Sequence, residues 1–373
     1  MVLYKNDRAC QDNQEGVANI SLFATMLSKS PLVLLLAFFN NAHAVRFLGR
    51  VNPTTRELTW PGTGVSFTFT GSSAVIGIDA TTGTNSADLI VDGRTTVFSD
   101  VNGTSFTTPA GLRHGNHTVV LRKRSEASIG TITIGNVTTD GVFGPDVYSD
   151  RKIEFVGDSI TVGYGLDGVL PCVNSAAVED NPKTYAALAA DAVGADYDII
   201  AWSGIGITRN YVSPTPDTSD IMPQRYTRYG ALDPLNSYTF PANKTPDAVV
   251  IGLGTNDFGY QAGVRNPIVP SEYTAAMVNF VKTIKTHYPT ATFLLLTSPM
   301  LNDGYPSTAD AQKTTQRNAL QAAATQLKNS TSIQVVDMPS QGSDVGCDYH
   351  PNAATHAEEA EILAVALAKQ MAW

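Results

Sequence analysis

The sequence predicts an α/β protein in which a five-stranded parallel sheet flanked by helices follows an all-β sandwich domain. Three observations carry this. After Pro145, apolar runs alternate with helical segments, the pattern of a parallel sheet covered on both faces. Before Gly144-Pro145, short β-branched and aromatic runs are separated by Gly, Asn, Asp and Pro, which marks a sandwich or barrel. At 373 residues, 43% apolar and 16% charged, the chain has an ordinary globular composition and the length for two domains.

Residues 1–44 stand apart. From Met26 the chain reads MLSKSPLVLLLAFFNNAHA: a basic Lys29, an apolar run from Leu32 to Phe39, then Ala42-His43-Ala44. This is the order of a secretory signal peptide, with cleavage expected before Val45 and translation starting at Met26. The run is too short to span a bilayer as a helix. Export to the extracellular space agrees with five N-x-S/T sequons at Asn102, Asn116, Asn136, Asn243 and Asn329. Of three cysteines, Cys10 precedes the cleavage site; Cys172 and Cys347 remain, an even pair that suggests one disulfide. Without close His or Cys companions they make a poor metal site. A net charge of −9 argues against nucleic acid or anionic membrane as partner and leaves a neutral polysaccharide open.

The first domain is expected over 45–143, from the runs VSFTFTG, AVIGIDA, ADLIVDG, TTVFSDV, HTVVLRKR and GTITIGNVT. The second is expected over 150–373. Its strands are KIEFVGD (152–158), DYDIIAWSG (196–204), DAVVIGLGTND (247–257), TFLLLTSP (292–299) and IQVVDM (333–338). Helices are expected over 184–193, over 271–287 with Ala275, Val278, Val281 and Ile284 in three-residue steps, over 310–328 and over 353–371. In such sheets ligands bind beyond the carboxyl ends of the strands.

The polar residues collect at those ends. Strand one ends in Gly157-Asp158-Ser159, strand two in Trp202-Ser203-Gly204 and strand three in Gly254-Thr255-Asn256-Asp257; Cys347-Asp348-Tyr349-His350-Pro351-Asn352 lies near the C-terminus. A serine hydroxyl needs a base to become a useful nucleophile, and His350 is the candidate for Ser159. The Ser159 and Gly204 N–H groups and the Asn256 amide are placed to hold an oxyanion. The bland alternatives are a helix N-cap for Ser159 and a turn cap for Asn256. Asp158 and Asp257 read as structural.

Gly157-Asp158-Ser159-Ile160, Gly204, Gly254-x-Asn256-Asp257 and His350-Pro351-Asn352 together resemble the four blocks of SGNH (GDSL-type) hydrolases. The similarity spans about residues 150–373 and implies a flavodoxin-like α/β/α domain. More narrowly, ADYDIIAWSGIG, GLGTNDF and GCDYHPN behind an N-terminal β-domain resemble carbohydrate esterase family 2. That resemblance implies a jelly-roll first domain and an esterase that removes acetyl groups from xylan or glucomannan with no metal or organic cofactor. The alternatives are an SGNH esterase or lipase acting on another ester, and a non-catalytic carbohydrate-binding protein. SGNH enzymes place an Asp three residues before the His; here that position is Cys347, and the acid, Asp348, is two before. Two arrangements stay open: Asp348 as orienting acid of a triad, or a Ser–His dyad whose His is held by a backbone carbonyl, as in some family members. A Cys172–Cys347 bridge would fix this loop against the one after Ser159.

Two other motifs fail on context. Gly163-Tyr-Gly165-Leu-Asp-Gly168 spells G-x-G-x-x-G but opens no helix before Pro171. The elbow G-x-S-x-G fails at Thr161. Trp202, Tyr226, Tyr229 and Tyr349 are candidates to stack on sugar rings, Tyr349 foremost because it adjoins His350.

Overall fold

Period-2 alternation builds the first part of the chain. In the strand Gly64–Gly71, Val65, Phe67 and Phe69 are buried, and in Gly115–Lys123 so are Val119 and Leu121; successive side chains of a strand point to opposite faces. The computed structural model describes residues 45–145, 147–215 and 217–373; the signal-peptide reading and Cys10 fall outside them. Ten strands precede residue 144: β1 (Arg46–Leu48), β2 (Glu57–Leu58), β3 (Gly64–Gly71), β4 (Ala74–Gly83), β5 (Ala87–Val91), β6 (Arg94–Phe98), β7 (Ser105–Thr107), β8 (Gly115–Lys123), β9 (Gly130–Thr139) and β10 (Val142–Phe143). They form two antiparallel sheets, β1-β3-β8-β5-β6 with β10 also on β3, and β2-β9-β4-β7. Phe67, Phe69, Leu89, Phe106, Leu121, Ile132 and Ile134 fill the space between them.

The rest alternates strand and helix: β11 (Lys152–Gly157), α1 (Ser159–Val162), α2 (Tyr185–Ala192), β12 (Asp196–Ala201), α3 (Met222–Arg225), β13 (Ala248–Gly252), α4 (Thr255–Phe258), α5 (Pro270–His287), β14 (Thr292–Leu296), α6 (Gln312–Leu327), β15 (Ile333–Val336) and α7 (Ala353–Met371). The sheet order is β12-β11-β13-β14-β15, parallel throughout. Order reverses between β11 and β13, so a crevice opens beyond their carboxyl ends. On one face α5 and α6 cover Val249, Ile251, Phe293 and Leu295; on the other α2 and α7 cover Phe155, Val250 and Leu294.

The helices match the expected positions, with one difference of phase. Ala275 is exposed, and the buried stripe of α5 runs through Tyr273, Met277, Phe280, Val281 and Ile284, the i, i+4, i+7 spacing of a core-facing helix. The sandwich and the α/β layer also share a core: Trp60 and Ala127 are buried in the same cluster as Val156, Ile251 and Tyr226.

Candidate active site

Ser159 sits where β11 gives way to α1. Only glycine fits before this turn, because a Cβ on Gly157 would come within 1.9 Å of the Thr161 hydroxyl. Asp158 caps α1, its carboxylate accepting from the Ile160 N–H at 3.1 Å, and such caps stabilise helix starts. Its complete burial raises its pKa to about 7. The nearly buried Ser159 side chain therefore projects from the first position of a helix, at the rim of the crevice.

His350 approaches from the other end of the chain. Its Nε2 lies 2.9 Å from Ser159 Oγ, and its Nδ1 lies 3.2 Å from the main-chain oxygen of Asp348. Burial lowers the imidazole pKa to about 4, so the ring is neutral at neutral pH and able to accept the serine proton. With Nδ1–H donated to the carbonyl, Nε2 carries the lone pair.

Asp348 enters the site through its backbone. The orienting-acid reading is corrected here, because its carboxylate is turned away to accept from the Tyr164 hydroxyl and the Asn174 N–H, each at 3.0 Å. Asp348 and Tyr349 both adopt left-handed backbone angles, φ 51° and 65°, which aim the carbonyl at the ring. Cys347 is joined to Cys172 by a disulfide, tying this loop to the one that follows Ser159.

The second strand end supplies a donor. From Trp202 to Arg209 each backbone N–H but one has a partner among the described residues. Trp202 donates to the Gly157 carbonyl, Ser203 to Glu126, Ile205 to the Trp202 carbonyl and Gly206 to the Asn210 side chain. Ile207, Thr208 and Arg209 all donate to Asp257. The exception is Gly204, whose φ of +78° is costly for any other residue. Asn256, nearly buried, spends one amide hydrogen on the Ile205 carbonyl at 2.8 Å and keeps a second. Asp257 is structural, as expected, and its three N–H partners pin the loop beside Gly204.

The aromatic candidates separate. Tyr349 is 67% exposed beside His350. Trp202 is half-buried, with the Arg225 guanidinium 4.4 Å from its ring centre. Tyr226 is a core residue whose hydroxyl donates to buried Glu154. Tyr229 packs edge-on to Tyr238 and lines a cleft of about 400 Å³ with Arg46, Lys152 and Asp196. That cleft lies at the amino ends of the strands, opposite to where this fold places ligands, so stacking by Tyr226 or Tyr229 at Ser159 is ruled out.

Sequence reasoning missed two residues that touch this part of the structure. The Tyr164 ring lies 4.2 Å from that of His350; its only signal was its place five residues after Ser159, inside the rejected glycine motif. Tyr211 is exposed, and its N–H donates to the Gly204 carbonyl at 2.7 Å.

Comparison with known proteins fits this geometry. Residues 155–358 match the GDSL-like lipase/acylhydrolase family, and residues 47–143 match the carbohydrate esterase 2 N-terminal domain. The crystal structure of a carbohydrate esterase family 2 enzyme plus carbohydrate-binding domain from Corynascus thermopiles (Myceliophthora fergusii) is 62% identical. It superposes with a TM-score of 0.86 over 88% of this chain and 100% of that one. The chain belongs to carbohydrate esterase family 2. Among other members of this esterase family, the Clostridium thermocellum enzyme solved with cellohexaose is 29% identical, with a TM-score of 0.78 over 88% of this chain and 99% of that one. An acetylxylan esterase/glucomannan deacetylase of Cellvibrio japonicus is 30% identical over 81% of this chain and 82% of its own. The cellulase/esterase CelE of Acetivibrio thermocellus is 31% identical over 86% of this chain, which spans only 38% of CelE.

Proposed function

We propose that this protein is a secreted serine esterase that removes O-acetyl groups from plant cell-wall polysaccharides such as xylan and glucomannan. The observation that carries the reading is the 2.9 Å contact between Ser159 Oγ and His350 Nε2, beside a strand end where the Gly204 N–H has no partner among the described residues. Ser159 Oγ attacks the acetyl carbonyl while His350 Nε2 takes its proton. The oxyanion accepts from the Ser159 and Gly204 N–H groups and from Asn256 Nδ2; preorganised donors of this kind are what makes such a site effective. As the intermediate collapses and the bond from the acetyl carbon to the sugar oxygen breaks, His350 gives its proton to that oxygen, which leaves as a hydroxyl. Water, deprotonated by the same imidazole, then releases acetate from Ser159. Asp348 acts through its carbonyl, which holds Nδ1–H and supports the imidazolium, so the catalytic set is a Ser–His dyad.

Exposed Tyr349, next to His350 in the chain, and exposed Tyr211, whose N–H donates to the Gly204 carbonyl, offer faces on which sugar rings stack; Trp202 is half covered and contributes less. Residues 26–44 supply the export signal and the sequons the glycosylation expected of a secreted chain. We divide the chain at 45–143 and 150–373 on the change of sequence pattern, and family matches over 47–143 and 155–358 support that division.

Acetate release from an aryl acetate, compared between the unmodified chain and Ser159→Ala and His350→Ala, tests the assignment; undiminished turnover in either variant removes it. Acetylated xylan, glucomannan and medium-chain lipid esters then test the substrate class. Preference for acyl chains beyond about four carbons would sink the polysaccharide reading, because a pocket shaped for acetyl discriminates against added methylenes.

A further inference from the structure

Seven of the eight backbone N–H groups from Trp202 to Arg209 have acceptors among the described residues. All of those acceptors but one belong to the α/β layer. The exception is Glu126, which lies in the loop between β8 and β9 of the sandwich. Its Oε2 accepts from the Ser203 N–H at 2.9 Å, one residue before Gly204, whose N–H has no partner among the described residues. Glu126 is 2% exposed, so water does not compete for that bond.

The loop that delivers Glu126 is held from several sides. Its own N–H donates to the Glu179 carboxylate at 2.7 Å, and its carbonyl accepts from the buried Lys123 ammonium at 3.3 Å. The neighbouring Arg124 pairs with Asp88 and Asp180 and donates to the Glu179 carbonyl, while its own carbonyl accepts from the Asn181 N–H. Ala127 is buried in the core of the α/β layer. Glu179 also accepts from Asn174, whose N–H binds the Asp348 carboxylate. One network thus reaches both the strand end carrying Gly204 and the loop carrying His350.

We infer that Glu126 is a positioning residue for the oxyanion site, through which the sandwich domain completes the catalytic centre. By holding the Trp202–Ser203 peptide, Glu126 fixes the plane of the next one, so that the Gly204 N–H faces Ser159. Electrostatics alone would argue the other way, since a carboxylate near a developing oxyanion repels it. Buried Lys123 offsets that charge, and the contribution left to Glu126 is geometric. This inference rests on the Ser159 esterase reading and assigns the first domain a role in turnover that is separate from glycan binding.

The test uses the full chain with two conservative changes. Glu126→Gln keeps an acceptor at the same reach and drops the charge; Glu126→Asp keeps the charge and withdraws the acceptor by one methylene. Turnover of an aryl acetate is measured together with inhibition by methylboronic acid, whose tetrahedral serine adduct places an oxygen in the oxyanion site. Glu126→Asp is expected to lower kcat on the order of 10- to 100-fold, with KM little changed and boronate inhibition weakened by a matching factor. Glu126→Gln is expected to retain most of the activity. The inference is overturned if Glu126→Asp keeps full turnover, if Glu126→Gln falls as far as Glu126→Asp, or if either chain loses cooperative thermal unfolding, since Glu126 would then serve domain docking alone. An active Ser159→Ala chain would instead remove the esterase reading itself; an inactive one beside a fully active Glu126→Asp removes only the role of Glu126.

Discussion

The Tyr164 hydroxyl donates to the Asp348 carboxylate at 3.0 Å while the Tyr164 ring lies against His350. Asp348 is thereby an anchor: its side chain is held so that its carbonyl meets the imidazole. A triad acid and an anchor respond differently to substitution. Removing the charge from a triad Asp costs about 10⁴-fold in kcat. Here Asp348→Asn leaves the carbonyl in place and an amide oxygen to accept from Tyr164, so kcat on an aryl acetate is expected to fall by less than about tenfold. Asp348→Ala, which releases both Tyr164 and Asn174, is expected to fall further than Asp348→Asn. Steady-state kinetics of the two variants check this, and a loss for Asp348→Asn as deep as a triad's would contradict it.

The pH profile follows from the same burial. His350 titrates at about 4 instead of 6.5 because the packed site disfavours the imidazolium. The base is neutral above that value, so kcat/KM should rise through an acid limb near pH 4 and stay level to neutrality. An acid limb at pH 6 to 7 would show a solvated histidine. The sign for stability is set by the same shift. Between pH 4 and 6.5 the unfolded chain takes up a proton that folded His350 refuses, so this group's contribution to stability is lost as pH falls through that window.

Much of this architecture is legible in the sequence. The five apolar runs of the sheet and the long helices declare themselves by period, and Ser159, Gly204 and Asn256 by lying where strands end. What was not legible has a common cause. Tyr164 and Asp348 are 184 residues apart, and Glu126 and Ser203 are 77 apart; no local pattern announces such a bond. The inward turn of the Asp348 carbonyl depends on two consecutive left-handed residues, neither of them glycine. Elements of two to four residues, such as β2, β10 and α3, are set by what they pack against and carry no periodicity of their own.

Two buried acids should make the protein sensitive to alkali. Glu359 on α7 is 1% exposed with both oxygens lacking a hydrogen-bond partner among the described residues, and burial raises its pKa from 4.5 to about 8. Between those values the folded chain keeps a proton that the unfolded chain releases, so stability falls as pH rises through the window. Asp158, raised to about 7, acts in the same direction from its ordinary 3.8. Glu359→Gln is isosteric and cannot ionise. Its melting temperature should therefore drop less between pH 5 and pH 8 than that of the unmodified chain. Parallel melting curves across that range would show that Glu359 is hydrated and ordinary.

The disulfide should matter twice. Cys172 and Cys347 are 175 residues apart, and a bridge closing so long a loop removes much entropy from the unfolded chain. Replacing both with Ala should cost about 2–4 kcal/mol of stability, measured as a shift in denaturant midpoint. Cys347 also stands three residues before His350 and anchors the loop whose carbonyl holds the ring. Activity of the double variant should therefore fall even at temperatures where it is fully folded, with KM for an aryl acetate little changed and kcat reduced. If kcat survives intact under those conditions, Tyr164 and Asn174 hold the Asp348 loop without help, and the bridge serves stability only.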